Sequence, residues 1–69
     1  MNKSFVLNIE NLNTDADATT IYDHFMNIHG VERVKIELDL KLVSLYYSDE
    51  VGSPHKLLTA FETIGYHVR

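Results

Sequence analysis

The sequence predicts an α+β fold: a four-stranded antiparallel sheet with two helices on one face, in the order strand, helix, strand, strand, helix, strand. Three observations carry this expectation. The apolar period switches between two and about 3.6 residues in that order along the chain. Both helical stretches have start and stop signals. The second and third strands are close enough in sequence to form a hairpin.

The first strand is expected over Ser4–Ile9, where Phe5, Leu7 and Ile9 alternate with Val6, Asn8 and Glu10. A polar loop, Asn11-Leu12-Asn13-Thr14-Asp15-Ala16-Asp17, follows. From Ala18 the period lengthens, and Ala18, Ile21, Phe25 and Ile28 make one apolar stripe with Tyr22 beside it. Thr14 suits the N-cap of this helix, and Asp17, three residues on, can reach back in a capping box. Asp15 and Asp17 also oppose the positive end of the helix dipole. Gly30 is expected to end the helix, because glycine takes a left-handed turn without steric cost.

The second strand is expected over Val31–Leu38, with Val34, Ile36 and Leu38 inward and Arg33, Lys35 and Glu37 outward. After a short turn at Asp39-Leu40-Lys41, the third runs over Leu42–Tyr47 with Val43, Leu45 and Tyr47 inward. Ser53 caps the second helix, and Pro54 occupies its first position, where a missing N–H costs nothing. Leu57, Leu58, Phe61 and Ile64 form its stripe, Gly65 terminates it, and Tyr66-His67-Val68-Arg69 supplies a short edge strand. Phe25 and Phe61 belong in the core. Two helices over one sheet face make a two-layer sandwich, with right-handed crossovers. This is the ferredoxin-like βαββαβ arrangement.

At 69 residues the chain is one domain, residues 1–69. Its core is necessarily small. It starts with Met and stops soon after its last strand, as expected of a stand-alone protein, although an excised domain would look the same. There is no cysteine, which excludes a disulfide staple, a thiolate metal site and a cysteine nucleophile. A small domain without staples suits the cytoplasm. The N-terminal apolar run, Phe5-Val6-Leu7, falls short of the about 7–15 residues of a secretory signal, and no stretch approaches the roughly 20 of a membrane span. A net charge of −4 argues against nucleic-acid and anionic-membrane partners, which call for a basic patch.

With the elements in place, the chain resembles the heavy-metal-associated domain of copper chaperones and of metal-exporting P-type ATPases. Gly30-Val31 before the second strand, Gly65-Tyr66 after the second helix and Val34-x-Ile36-x-Leu38 fall at the spacing of that family. The family typically reads Gly-Met-x-Cys-x-x-Cys after its first strand, where two thiolates hold a soft ion such as Cu(I). Here Asn11-Leu12 replaces Gly-Met, Thr14 stands at the first cysteine position and Asp17 at the second. Hydroxyl and carboxylate oxygens are hard donors and bind Cu(I) poorly. The resemblance therefore implies the scaffold, and no cofactor is expected.

Other ions fare little better. Thr14, Asp15 and Asp17 offer three oxygen donors, short of the six to eight that calcium usually takes. If both aspartates are helical, they point about 200° apart. His24 and His29 stand about 140° apart on a helix, and His55 and His67 lie elsewhere. There is no Gly-rich phosphate loop and no nucleophile elbow, and no acidic pair is forced into a cleft, so an enzyme is not expected. RNA binding by the open sheet face would need aromatics on the central strands; the outward residues there are Val6, Asn8, Leu42, Ser44 and Tyr46, with one tyrosine among them.

Two readings of function follow. In the first, the domain is a protein-interaction module whose surface comprises Asn11, Leu12, Asn13, Thr14, Asp15, Asp17 and Tyr66, with Asp23 nearby. The resemblance implies a like-folded domain or metal transporter as partner, and the acidic residues suit a basic patch on it. Tyr66 is expected to cover the loop with its hydroxyl in water. In the alternative, Asp and His bind a harder ion weakly, in a site shared across a dimer.

Overall fold

The computed structural model describes residues 3–69. Met1 and Asn2, where the N-terminal reading begins, lie outside the described residues. Strand β1 (Lys3–Asn8) leads to helix α1 (Asp15–Met26), then to β2 (Val31–Glu37), β3 (Leu42–Tyr47) and helix α2 (Pro54–Thr63). Single 3₁₀ turns occupy Leu38–Leu40, between the hairpin strands, and Asp49–Val51, before α2.

The sheet is antiparallel in the order β1-β3-β2. Both pairings place Phe5, Leu7, Val34, Ile36, Val43 and Leu45 on one face, as their period of two requires. A bulge at Glu32 shifts the register between Val31 and Arg33. The core lies between this face and the helices: Ile9, Ile21, Phe25, Val43, Leu45, Leu57 and Phe61 are wholly buried. Phe25 of α1 and Phe61 of α2 meet with ring centroids 4.2 Å apart.

The structure departs from expectation in two elements. The C-terminal segment is not a full fourth strand. It touches β1 through one antiparallel bridge, Ile9 to Val68, with the Glu10 amide donating to the His67 carbonyl and the Arg69 amide to the Asn8 carbonyl, each at 2.8 Å. The ladder goes no further back because the His67 amide is taken by a side chain, the Asn11 amide oxygen at 2.9 Å. The described sheet therefore has three strands.

Helix α1 ends at Met26, before Gly30. The Asn27 side-chain amide folds back to the Asp23 carbonyl at 2.6 Å, satisfying one of the carbonyls that a helix end leaves free. Gly30, at φ +96, instead turns the chain into β2. A Cβ there would stand 2.5 Å from the Val51 backbone nitrogen, so glycine is required for space as well as for conformation. The turn it accommodates buries Val51, a core residue the apolar period did not reveal.

Candidate functional site

The loop between β1 and α1 is organised by the start of one helix and the end of the other. Thr14 is the N-cap of α1. Its hydroxyl oxygen accepts the Asp17 amide at 3.1 Å, and Asp17 returns the bond by accepting the Thr14 amide at 3.0 Å. This is the expected capping box. The same Asp17 oxygen, Oδ2, also accepts the Asn13 amide at 3.0 Å.

The end of α2 is a Schellman motif. Gly65, at φ +87, donates its amide to the Glu62 carbonyl at 3.0 Å, and Tyr66 donates to the Phe61 carbonyl at 2.9 Å. The glycine reverses the chain and swings Tyr66 back over the loop. The Tyr66 ring is buried, and its hydroxyl donates to Asp17 Oδ1 at 2.7 Å. The hydroxyl is therefore not in water, contrary to the sequence reading: burial of the ring leaves the phenol needing a partner, and the capping aspartate provides one.

Asn11 makes a second tie. Its side-chain amide donates to the Gly65 carbonyl at 2.9 Å while its oxygen accepts the His67 amide. Two polar side chains of the first loop thus bind the last turn of the chain, across 49 residues for Asp17–Tyr66 and 54 for Asn11–Gly65.

The electrostatics follow from these bonds. The Tyr66 hydroxyl, and then the Asn13 and Thr14 amides, hold the Asp17 carboxyl down to about 2, so it is a carboxylate throughout the physiological range. Burial pushes the Tyr66 phenol up, reinforced by its bond to Asp17.

Of the seven residues expected on an interaction surface, six surround this lock: Asn11, Asn13, Thr14, Asp15, Asp17 and Tyr66. Leu12 does not belong with them. It is wholly buried, because its amide donates to the Ile9 carbonyl in a turn that tucks the side chain into the core. The sequence reading missed the β2–β3 turn, where Glu37, Leu38, Asp39 and Leu40 form one concave surface with Asp15. The carboxylates Asp15, Glu37 and Asp39 make this end of the domain acidic.

A soft-metal clasp does not fit these positions. Thr14 and Asp17 supply oxygen, and both Asp17 oxygens are already hydrogen-bonded. The histidines are dispersed: His29 pairs with Glu50 at 3.1 Å and His67 lies 3.6 Å from Glu62, while His24 and His55 border a groove between the helices. Among the described residues, no three of His, Cys, Asp and Glu stand together as a metal site, and no helix is long and apolar enough to cross a membrane.

No family profile matches the chain, and no curated protein matches it by sequence. Solved structures do. Oxidized MerP from Ralstonia metallidurans CH34 superposes with a TM-score of 0.89 at 19% identity, over 100% of this chain and 96% of that one, a likeness of fold. The CopZ metallochaperone gives 0.89 at 25% identity, over 97% of this chain and 100% of its own. The N-terminal domain of a potential copper-translocating P-type ATPase from Bacillus subtilis, in its Cu(I)-loaded state, gives 0.89 at 25% identity, over 100% and 86%.

Proposed function

Starting from a chain with the heavy-metal-associated fold and no cysteine, we propose that it is a non-enzymatic protein-interaction module and not a soft-metal carrier. The observation that carries this reading is the Asp17 carboxylate. It stands where the family resemblance puts a thiolate, and it is consumed by the Asn13 and Thr14 amides and the Tyr66 hydroxyl. A lone pair already accepting a hydrogen bond is a poor ligand, and the low proton affinity of this carboxylate reflects that engagement. The same lock holds the loop rigidly in place, and a preorganised surface loses less entropy on docking.

The partner that suits this surface is a like-folded domain, such as the metal-binding module of a transporter, with a basic patch to meet Asp15, Asp39 and Glu37. Such pairing raises the association rate and weakens with salt. The reading assigns the protein to the cytoplasm, where a domain without disulfides is at home. Weak metal binding through Asp and His is less well supported, since the best-placed carboxylate is occupied.

The test is titration of the ¹⁵N-labelled protein with the N-terminal domain of a copper-transporting ATPase, and separately with Cu(I) and Zn²⁺. The expected result is salt-sensitive amide shifts confined to residues 11–17, 37–41 and 66. Saturable sub-micromolar Cu(I) binding by the unaltered chain would overturn the reading.

A further inference from the structure

A second surface carries chemistry that the loop does not use. Between the C-terminal half of α1 and the flank of α2 lies a groove of about 410 Å³. Ile28, Leu57 and Ala60 give it an apolar floor, and His24, His55 and Lys56 stand at its margins. Among the described residues no carboxylate lines it, although Asp and Glu outnumber Lys and Arg by ten to six in the chain. The opposite combination occurs at the β2–β3 turn. Leu40 is 58% exposed there, beside Glu37, Asp39 and Asp15. Lys41 follows it, but that ammonium is turned onto the Glu10 carbonyl at 3.2 Å; Lys35 lies 3.9 Å from Glu37, so the acidic character of this surface rests on Asp39 and Asp15. One exposed leucine thus stands beside carboxylates, and one apolar groove carries the Lys56 ammonium at its margin.

We infer that the groove is a docking site for a second copy of this chain, which seats Leu40 against Ile28 and Ala60 and sets Asp39 toward Lys56. Apolar burial supplies the attraction and opposite charges set the orientation. The contact joins two different patches: used once per pair it propagates head to tail, and used reciprocally it closes a twofold dimer. A leucine turn covers less than the roughly 1,200 Å² at which stable interfaces begin. The association is therefore weak, concentration-dependent and salt-sensitive.

The experiment is a dilution series of the whole protein, followed by sedimentation velocity and by ¹H–¹⁵N spectra. The expected result is that groove residues and the Leu40 turn shift together on concentration and return together when salt is added. Leu40→Asp weakens self-association by about tenfold or more, from the lost burial of one leucine, and Lys56→Glu also weakens it. The decisive measurement mixes the two variants. Leu40→Asp keeps an intact groove and Lys56→Glu keeps an intact leucine, so mixing restores one contact, with shifts at the groove of the first and the turn of the second. Both substitutions are on the surface, and an unchanged spectrum at low concentration establishes that each variant folds. Groove shifts that persist in Leu40→Asp alone, a mixture that restores nothing, or a monomer at every concentration would overturn the inference.

Discussion

Replacing Tyr66 by phenylalanine removes one oxygen and nothing else from the centre of the site. The ring stays buried and keeps its packing, so the change removes the bond to Asp17 Oδ1 together with the phenol's lesser interaction with the Thr20 side chain. That bond is the largest cause of the low Asp17 proton affinity, ahead of the Asn13 amide and the Thr14 amide. In the variant, the two backbone amides still favour the carboxylate. The expected Asp17 midpoint therefore lies between about 2 and the ordinary 3.8, without reaching the latter. The sign of the stability effect follows by linkage. A carboxyl whose folded value is depressed contributes stability above its unfolded value, near 3.8, and loses it as the pH falls toward 2. Tyr66→Phe should thus cost stability at neutral pH and lose less on acidification than the parent. At the alkaline end the phenol is raised above its usual 10.0, so the parent's bond is intact below that value and fails as the pH rises through the folded one. The variant should lack this alkaline loss. The assay is ¹³C-detected titration of the Asp17 carboxyl, with urea midpoints at several pH values. An Asp17 midpoint unchanged in Tyr66→Phe would refute the assignment of its cause.

Three other outcomes are expected. Phe61→Ala removes a wholly buried ring packed on Phe25 and should cost about 3–5 kcal/mol in urea unfolding, a large share of the about 3–10 kcal/mol that a domain of this length has in all; near-zero loss would contradict the packing. Gly30→Ala places a methyl group 2.5 Å from the Val51 nitrogen at a positive φ; it should cost at least about 1 kcal/mol, measured as a lowered urea midpoint with an unchanged slope. Joint replacement Thr14→Cys and Asp17→Cys should create Cu(I) binding, measured by competition with a chromophoric chelator, because the fold superposes on the Cu(I)-loaded N-terminal domain of a potential copper-translocating ATPase; a folded double variant without Cu(I) affinity would show that the two positions are not equivalent to the cysteines.

The strands and helices were legible because their apolar faces repeat. Val43, Leu45 and Tyr47 on β3, and Leu57 and Phe61 on α2, are buried as their period requires. The Thr14 capping box was legible because it is local, spanning three residues. What escaped was either isolated or distant. Leu12 and Val51 are single apolar residues in polar stretches, with no period to show which way they point. The Tyr66–Asp17 bond joins residues 49 apart, and nothing near either residue announces the other. The C-terminal segment has a strand's composition, but whether it pairs over four residues or one depends on which group takes the His67 amide. That group is Asn11, at the far end of the chain.

The two ties between the first loop and the last turn have a consequence for how the molecule matures. Contacts spanning most of the chain must overcome the entropy of closing a large loop, and such distant pairings slow folding relative to local ones. Here they are also polar and near the surface, so little apolar burial rewards them until both helices have docked. The loop between β1 and α1 should thus acquire its final shape only after the remainder of the chain is assembled. A half-folded molecule would then lack that shape, and under the proposed interaction role binding would double as a check on completion.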